Sequence, residues 1–310
     1  MANLFSMRTR EEQGKTPVLS TWGADSETGI LRDVLIGPVD HFQNILPTNS
    51  VNRKMIRDGV TLDVEGARMQ YEEMLSCYRD AGVEVHITPA DPDLPLQIWA
   101  RDGSFMTPWG MIIGQMAQWW RRGEYGPVFD LCYDKDIAIY DKVTAGCYEG
   151  GDFMMIKPGH ALMGYSGERS QLEGALQVQR WLNAEGWECY LYEFDPFFVH
   201  MDVMSVMLTD KLAAVCTEIL DPAVIDWFHG LGIDTIEVPY SHALKMGCNV
   251  VSLGDDRVLL PKESTFLVDR CKALGLKVYD PDISEISICG GGVHCMCQPL
   301  RRDSYQGGVA

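Results

Sequence analysis

Apolar and polar residues alternate along the chain in a recurring order of short elements. Two short apolar runs at 153–156 and 161–165 flank the turn at 157–159, a pattern typical of a β-hairpin. The amphipathic stretch 171–183 follows and predicts a helix, and the segment 188–194 (ECYLYEF) then predicts a third strand. The unit is therefore strand, strand, helix, strand.

The same order recurs in other parts of the chain. One copy has predicted strands at 203–208, 211–216 and 235–238 with a helix at 223–230. A second has strands at 249–253, 257–260 and 277–279 with a helix at 265–274. A less regular copy opens with 104–106 and 111–116. The N-terminal part predicts a strand at 32–36, a helix at 64–79 and a strand at 83–87, without a leading strand.

Polar or reactive residues precede the first strand of each unit, at Asp102, Glu149, His200, Cys248-Asn249 and Cys295. The intervals between positions 102, 149, 200, 248 and 295 are 47, 51, 48 and 47 residues, and a fixed period of this length is typical of an array or propeller. The run 296–300 would supply the missing leading strand and close a ring. The pattern predicts one catalytic domain over residues 1–310, an α/β fold built as a five-bladed, pseudo-fivefold α/β-propeller whose equivalent positions face a common axis. The alternative is five unrelated hairpins with coincidental spacing.

The net charge limits the classes of ligand. The 310 residues include 26 basic and 44 acidic side chains, giving a net charge of −18. This argues against nucleic acid and against an anionic membrane surface, and it is compatible with a small cationic ligand. A simpler interpretation explains most of the charge, namely that it keeps molecules of a soluble protein apart by mutual repulsion. The first fifteen residues lack a signal-peptide pattern and the ten scattered cysteines suggest reduced thiols, so we expect a cytoplasmic protein.

The residues expected at the axis combine a thiol, a histidine and several carboxylates. Cys295 and His200 could act as a nucleophile with its general acid and base. The carboxylates of Asp102, Glu149 and Asp202 would raise the pKa of the thiol and repel an anionic substrate. They suit a planar cation with several N–H donors, such as a guanidinium, which would also help the thiol to ionise. The set therefore predicts a small cationic or planar amidine-like substrate.

Simpler interpretations remain open for these residues. His200 could be a hydrogen-bonded core histidine, residues 149–152 a turn, and Asp102 and Asp202 solvent-facing strand ends. Metal binding is the chief rival chemistry, with candidate ligands at Cys289, His294, Cys295 and Cys297. Their spacing does not form the paired C-x-x-C pattern of structural zinc, and no dinucleotide or P-loop motif is present, so we predict no metal and no cofactor.

The chain resembles the guanidine-modifying superfamily with the five-bladed α/β-propeller (pentein) fold. That superfamily includes arginine deiminases, dimethylargininases, agmatine deiminases and amidinotransferases. The matching segments, in the order in which the family has them, are 99–104 (WARDGS), 121–124 (RRGE), 149–152 (EGGD), 167–170 (GERS), 200–202 (HMD) and 290–295 (GGGVHC). Residues 30–37 also resemble the family's opening strand, so the resemblance extends over nearly the whole chain.

The resemblance implies a role for each matching residue around the reacting carbon. Cys295 would attack the guanidinium carbon, and His200 and Glu149 would handle protons. Asp102 and Asp202 would hold the guanidinium nitrogens. The product would be a ureido compound with an amine or ammonia, formed through a covalent thiouronium intermediate.

The resemblance also implies how the rest of the substrate is bound. Arg169, with Arg122 or Arg121, would meet a substrate carboxylate. Arginine deiminases carry an asparagine where this chain has Leu96 and an arginine where it has Gly290. We therefore expect a substrate other than free arginine.

Four features of the sequence bear on the choice between hydrolysis and transfer. His294 before the nucleophile and the pair Arg301-Arg302 after it are similar to agmatine deiminases or amidinotransferases. The segment 149–152 is similar to the hydrolase form and the compact length to dimethylargininases, so we predict a hydrolase, with an amidinotransferase as the runner-up. A non-catalytic binder of a cation is a third hypothesis, and the sequence leaves homo-oligomer formation open.

Two further features have a functional and a structural interpretation. Residues 38–60 lack periodicity and predict a long loop, either a lid over the site or a surface excursion. Trp119 and Trp120 could line a pocket for a planar cation or pack in the core.

Overall fold

Fifteen short strands form five three-stranded sheets in the computed structural model, which describes residues 21–43, 47 and 49–306. The first sheet contains β1 (Leu31–Ile36), β2 (Glu84–Ile87) and β15 (Cys297–Arg302). The second contains β3 (Ser104–Thr107), β4 (Gly110–Ile113) and β5 (Ile139–Lys142), and the third β6 (Phe153–Lys157), β7 (His160–Tyr165) and β8 (Glu188–Glu193). The fourth contains β9 (Ser205–Thr209), β10 (Leu212–Val215) and β11 (Asp234–Glu237), and the fifth β12 (Val251–Gly254), β13 (Arg257–Leu259) and β14 (Lys277–Tyr279).

All five sheets share one pairing pattern. The middle strand is antiparallel to one neighbour, its hairpin partner in four of the sheets, and parallel to the strand that follows the helix. This is the strand, strand, helix, strand unit that the sequence predicted, and the five-bladed α/β-propeller is confirmed.

The first sheet is completed by the last strand. β15 pairs antiparallel with β1, with Leu31 opposite Arg302 and Ile36 opposite Cys297. β15 thus takes the place of the leading strand that the N-terminal unit lacks, as the sequence predicted.

Helices connect the second and third strands of the units. The connecting helices are α1 (Ser50–Asp58) and α2 (Val64–Asp80) in the first unit, then α4 (Tyr125–Lys135), α5 (Leu172–Ala184), α6 (Pro222–Gly230) and α8 (Thr265–Ala273). Single-turn helices lie at α3 (Ala100–Gly103), α7 (Tyr240–Ala243), α9 (Ser284–Ser287) and α10 (Val293–Met296). In the described part of the chain, no helix is both long and apolar enough to cross a bilayer.

The sequence of α2 explains its boundaries and its buried face. Asp63 caps the helix by accepting a hydrogen bond from the backbone N–H of Gly66. Tyr71, Met74 and Tyr78 recur at helical spacing and are buried against the first sheet and its neighbours. Three other connecting helices repeat this arrangement, since α5, α6 and α8, like α2, contact the third strand of their own unit.

Short helical turns precede several first strands and position the polar residues. Residues 150–152 and 201–203 form 3₁₀ turns before β6 and β9, while α3 and α10 precede β3 and β15. The predicted strand at 203–208 therefore begins later, at Ser205, and that at 249–253 begins at Val251. Val203 is buried in one of these turns and Val250 is buried just before β12, so neither residue belongs to a strand.

The segment 38–60 is not a loop throughout. Its second half forms α1, capped by Asn49, whose side chain accepts a hydrogen bond from the backbone N–H of Asn52. Residues 44–46 and 48 of this segment lie outside the described residues, as do the first fifteen residues of the chain. Asn49 and Asn52 line the cleft described below, and the function of the segment as a lid stays a prediction.

Candidate active site

The ends of several units meet in one cleft. Cys295, His200, Asp102, Arg121 and Arg169 line it together, although their positions in the sequence span nearly two hundred residues. Glu149 and Asp202 are buried and bind His200 and Cys295 respectively. Leu96 and Gly290, where the sequence departs from arginine deiminases, line the same cleft.

Cys295 is the buried thiol of the site and belongs to the α10 turn. Its S–H donates toward Asp202 Oδ2 at 3.3 Å, and Asn249 Nδ2 donates to its sulfur at 3.2 Å. Burial, followed by the charges of Asp202 and Asp102, holds the pKa of this thiol well above its ordinary value. The resting group is therefore a neutral thiol, as the acidic surroundings predicted.

His200 lies between two carboxylates. Its Nε2 donates to Glu149 Oε2 at 2.8 Å, and its Nδ1 is 3.5 Å from Asp102 Oδ1. Burial alone would lower the pKa of His200, but Asp102, Asp152 and Glu149 outweigh it and raise the pKa to about 10. His200 is thus an imidazolium at neutral pH and can give a proton to a group in the cleft.

A glycine explains how the His200 ring comes so close to its neighbours. A Cβ at Gly151 would lie 2.7 Å from Cγ of His200, so any larger residue would displace the ring. Gly151 belongs to the segment 149–152, for which the sequence allowed a turn or a functional motif. The structure makes it a turn that also carries Glu149.

Glu149 is fully buried and holds three donors. Its carboxylate accepts hydrogen bonds from the backbone N–H of Ala117 at 2.9 Å, from Arg169 at 3.1 Å and from His200. Burial opposes ionisation, but the guanidinium of Arg169 and the hydrogen bond from His200 prevail and hold the pKa of Glu149 well below its usual range. An ionised Glu149 in turn keeps His200 charged.

Asp102 and Asp202 present carboxylate oxygens around the thiol. Arg121 binds Asp102 Oδ2 at 2.6 Å, while Asp202 Oδ2 accepts from His294 Nδ1 at 2.8 Å as well as from Cys295. Burial raises the pKa of Asp202, but the hydrogen bond and charge of His294 lower it overall. Oδ1 of both aspartates has no hydrogen-bond partner among the described residues, although both atoms are buried.

The three arginines that the resemblance assigned to a carboxylate are placed differently. Arg169 lines the cleft and binds Glu149. Arg121 is buried between Asp102 and Glu124, and it donates two hydrogen bonds to the Glu124 carboxylate, at 2.8 and 2.9 Å. Arg122 is exposed, donates to the backbone carbonyls of Met116 and Ala117, and is not among the residues that line the cleft.

The periodicity placed Cys248 at the axis, but the next residue contacts the reactive groups instead. Asn249 is fully buried and its Oδ1 accepts from the backbone N–H groups of His294 at 2.8 Å and Cys295 at 3.3 Å. Cys248 does not line the cleft. Sequence reasoning noted the pair but assigned no role to Asn249, because a period near 48 residues does not fix the phase to one residue.

The remaining sequence candidates lie away from the cleft lining. Trp119 is 72% exposed, and Trp120 packs against the core that contains α2. Arg301 binds Asp33 at 2.6 Å and Arg302 donates to the carbonyl of Gly29 at 2.8 Å, so both hold β15 in place.

A metal would find one cluster of ligand atoms among the described residues, formed by Asp102, Glu149 and His200. Arg121 and Arg169 already bind these two carboxylates. The rival set of Cys289, His294, Cys295 and Cys297 forms no such cluster in the described ranges.

Comparison with known proteins places the chain among enzymes of one family. The sequence profile of the family described as N,N dimethylarginine dimethylhydrolase, eukaryotic, matches residues 42–302. An uncharacterised protein of Bacillus subtilis, YkgA, is 24% identical over 89% of this chain and 94% of its own length. The N(G),N(G)-dimethylarginine dimethylaminohydrolase of Mycobacterium tuberculosis is 25% identical over 76% of each chain.

Solved structures share the fold at lower identity. The amidinotransferase SxtG of Microseira wollei, from saxitoxin biosynthesis, superposes with a TM-score of 0.78 at 17% identity, covering 93% of this chain and 99% of its own. A dimethylarginine dimethylaminohydrolase variant of Pseudomonas aeruginosa in complex with citrulline gives a TM-score of 0.71 at 20% identity, covering 87% and 99%.

Proposed function

The chain belongs to the N,N dimethylarginine dimethylhydrolase family, whose members act on guanidino compounds, and from this premise we propose that it hydrolyses a C–N bond of a small guanidino or amidine-like compound. The observation that carries the proposal is the contact of the Cys295 thiol with Asp202 in a cleft that also holds an imidazolium. A buried thiol surrounded by carboxylates is poorly suited to an anionic substrate and well suited to a guanidinium.

Substrate binding supplies the positive charge that the site lacks. The guanidinium N–H groups bind Asp102 and Asp202, whose Oδ1 atoms are buried without hydrogen-bond partners in the described residues. The bound cation lowers the pKa of Cys295, and the thiol proton passes to solvent by way of Asp202. The thiolate then forms a C–S bond to the guanidinium carbon.

Proton transfer by His200 completes the first half-reaction. The imidazolium gives its proton to the departing nitrogen, the C–N bond breaks, and a thiouronium remains on Cys295. Neutral His200, held by Glu149, then takes a proton from a water molecule as its oxygen attacks the same carbon. The C–S bond breaks with the sulfur leaving as a thiolate, the hydroxyl proton of the adduct neutralises that thiolate, and the neutral ureido product leaves. The resting thiol and the imidazolium are thereby restored.

The contacts of the three arginines indicate which of them would bind a substrate carboxylate. The place of Arg169 in the cleft lining supports its assignment to a substrate carboxylate, and Arg121 lines the same cleft while bound to Asp102. Arg122 is the weakest of the three assignments, because its guanidinium holds backbone carbonyls. Leu96 and Gly290 offer no polar side chain, which supports a substrate other than free arginine. We further propose that the chain acts as one catalytic domain without a cofactor, a proposal supported by the pairing of β1 with β15.

An amidinotransferase is the second candidate. His294, which is similar to the residue before the nucleophile in amidinotransferases, touches the guanidinium-binding aspartate. SxtG shares the fold. In that reaction an amine, instead of water, would attack the thiouronium carbon. The pair Arg301-Arg302 lends no support, since both side chains stabilise β15.

One experiment separates these functions. The protein is incubated with a panel of guanidino and amidine compounds, with and without amine acceptors, and the products are identified by mass spectrometry. A ureido product without an acceptor supports hydrolysis, and a new guanidino compound formed only with an acceptor supports transfer. Cys295→Ser should reduce turnover at least about a thousandfold. Cys289→Ser, a change in the same cleft, is the matched control; full activity of Cys295→Ser would refute the proposal.

A further inference from the structure

Asn249 is a fully buried amide that binds the nucleophile turn through both of its polar atoms. Its Oδ1 accepts from the backbone N–H groups of His294 and Cys295, and its Nδ2 donates to the Cys295 sulfur at 3.2 Å and to the carbonyl of Asp202 at 3.3 Å. Asn249 lies just before β12 and so belongs to a different unit from Cys295.

The surroundings of Cys295 make a donor to its sulfur necessary. The charges that face the thiol are Asp202, in direct contact, and Asp102, with His200 and His294 bound to these carboxylates. Both aspartates oppose a negative sulfur, whereas hydrogen bonds from the backbone of Gly292 and from the side chain of Asn249 lower the pKa of the thiol. An N–H donor at 3.2 Å stabilises the thiolate and leaves the thiol little affected.

The turn around Asn249 is shaped to bring this donor to the sulfur. A Cβ at Gly292 would lie 2.5 Å from Oδ1 of Asn249, so only glycine lets the backbone of the nucleophile turn approach the amide. The two hydrogen bonds to Oδ1 fix the amide orientation, because the opposite orientation would set its NH₂ group against two N–H donors.

We propose that Asn249 is a catalytic residue whose side-chain N–H stabilises the Cys295 thiolate, both when the thiolate forms and when it departs from the adduct of water with the thiouronium. The proposal rests on the proposed function in so far as Cys295 is the nucleophile. An asparagine is required because an aspartate would retain the acceptor but replace the donor by a third negative group facing the sulfur.

Alkylation by iodoacetamide tests the proposal without any substrate. The thiolate sulfur forms a bond to the methylene carbon and iodide departs, so the rate at a given pH follows the thiolate fraction. Asn249→Leu, of similar size but without a donor, should alkylate roughly ten- to a hundredfold more slowly at Cys295, as expected for a lost hydrogen bond to a charged group. The modified residue is identified by peptide mass spectrometry.

Two further variants keep the result decisive. Ser252→Ala removes a different buried hydrogen bond on β12, from Ser252 Oγ to the carbonyl of Leu208, and should leave the alkylation rate within about twofold of wild type. Asn249→Asp retains an acceptor for both backbone N–H groups. It replaces Asn249→Leu in the alkylation test if circular dichroism shows that Asn249→Leu does not fold. It should be at least as slow as Asn249→Leu.

The outcomes separate this inference from the proposed function. Alkylation at the wild-type rate in a folded Asn249→Leu or Asn249→Asp protein would overturn the inference, whatever the substrate proves to be. If wild type turns over no guanidino compound, the proposed function fails while the alkylation result still decides the role of Asn249. If it does turn one over, Asn249→Leu should lower kcat at least tenfold and change KM less than threefold.

Discussion

Two buried histidines, His200 and His294, each bind a carboxylate but differ in their position relative to the cleft. His200 is 4% exposed and His294 3%, and each donates to one carboxylate at 2.8 Å, His200 to Glu149 and His294 to Asp202. From the sequence, both sit in short polar motifs at the start of a strand.

The two histidines differ in what lies beyond that first carboxylate. His200 lines the cleft, with Asp102 at 3.5 Å on its other nitrogen. His294 is absent from the cleft lining, and its Nε2 is 3.9 Å from Glu27, which lies 3.5 Å from Arg101. In the proposed reaction, access to the cleft, more than the hydrogen bond itself, therefore makes His200 the proton donor and leaves His294 to orient Asp202.

Removal of the proton donor should have the largest effect. His200→Asn should lower kcat about a thousandfold, because nothing else described in the cleft offers an acidic proton near the leaving group. His294→Asn, the matched change, should cost about threefold, because its amide can replace Nδ1–H as the donor to Asp202. Steady-state kinetics on one guanidino substrate measures both, and equal losses would abolish the distinction between the histidines.

Neutralising Glu149 should have the next largest effect. Glu149→Gln removes a charge that keeps His200 protonated, so the alkaline limb of the kcat profile should move to lower pH and kcat at pH 8 should fall about a hundredfold. Glu27→Gln, which changes the carboxylate near His294, should leave that limb in place. A pH profile in which Glu27→Gln shifts the limb instead would contradict the assignment.

Removing the donor of His294 should have a smaller effect. His294→Phe lacks the hydrogen bond that orients Asp202, so we expect a roughly tenfold loss in kcat/KM, most of it restored in His294→Asn. A structural role alone would affect both variants alike. Comparison of their kinetics and Tm values decides between positioning and packing.

The smallest expected effect is on stability against pH. The folded pKa of His200, about 10, exceeds the ordinary value of 6.5, so the folded state binds the extra proton between these values. Its contribution to stability is complete below about pH 6.5 and is lost as the pH rises through 10. Between pH 7 and 9.5 the Tm of His200→Gln should therefore fall less than the Tm of wild type, by about 2–4 °C. The Tm of His294→Gln should fall with pH as steeply as that of wild type. Identical slopes in wild type and His200→Gln would show that His200 does not carry the extra proton.

The sequence predicted the repeating units and the ring closure because alternating apolar runs and their connections follow directly from burial. It predicted which polar residues gather, since the period brings equivalent positions together. It could not tell whether Cys248 or Asn249 faces the axis, because a shift of one residue along the chain changes which side chain does so. Nor could it show that Arg121 binds Asp102 while Arg122 binds a backbone carbonyl, because the partners of adjacent arginines are fixed only in the folded chain.

The helix α1 was missed for a related reason. Residues 50–58 (SVNRKMIRD) hold few apolar residues, and only Asn52 and Met55 are buried. The Asn49 cap and the left-handed Gly59 at the C-terminal end were local signals of a helix that the absence of an apolar stripe concealed.

The pairing of β15 with β1 makes the surroundings of the Cys295 thiol depend on a contact between distant parts of the chain. Cys295 lies in the turn that leads into β15, and β15 joins a strand more than 260 residues earlier in the chain. Contacts over such separations carry a large loop-closure entropy and form slowly. Until they form, β1 exposes an unpaired edge and the sulfur is distant from Asp202, so a nascent or partly unfolded chain would lack an assembled nucleophile. Recovery of Cys295 reactivity during refolding would therefore report completion of the ring, whereas circular dichroism would register the earlier units.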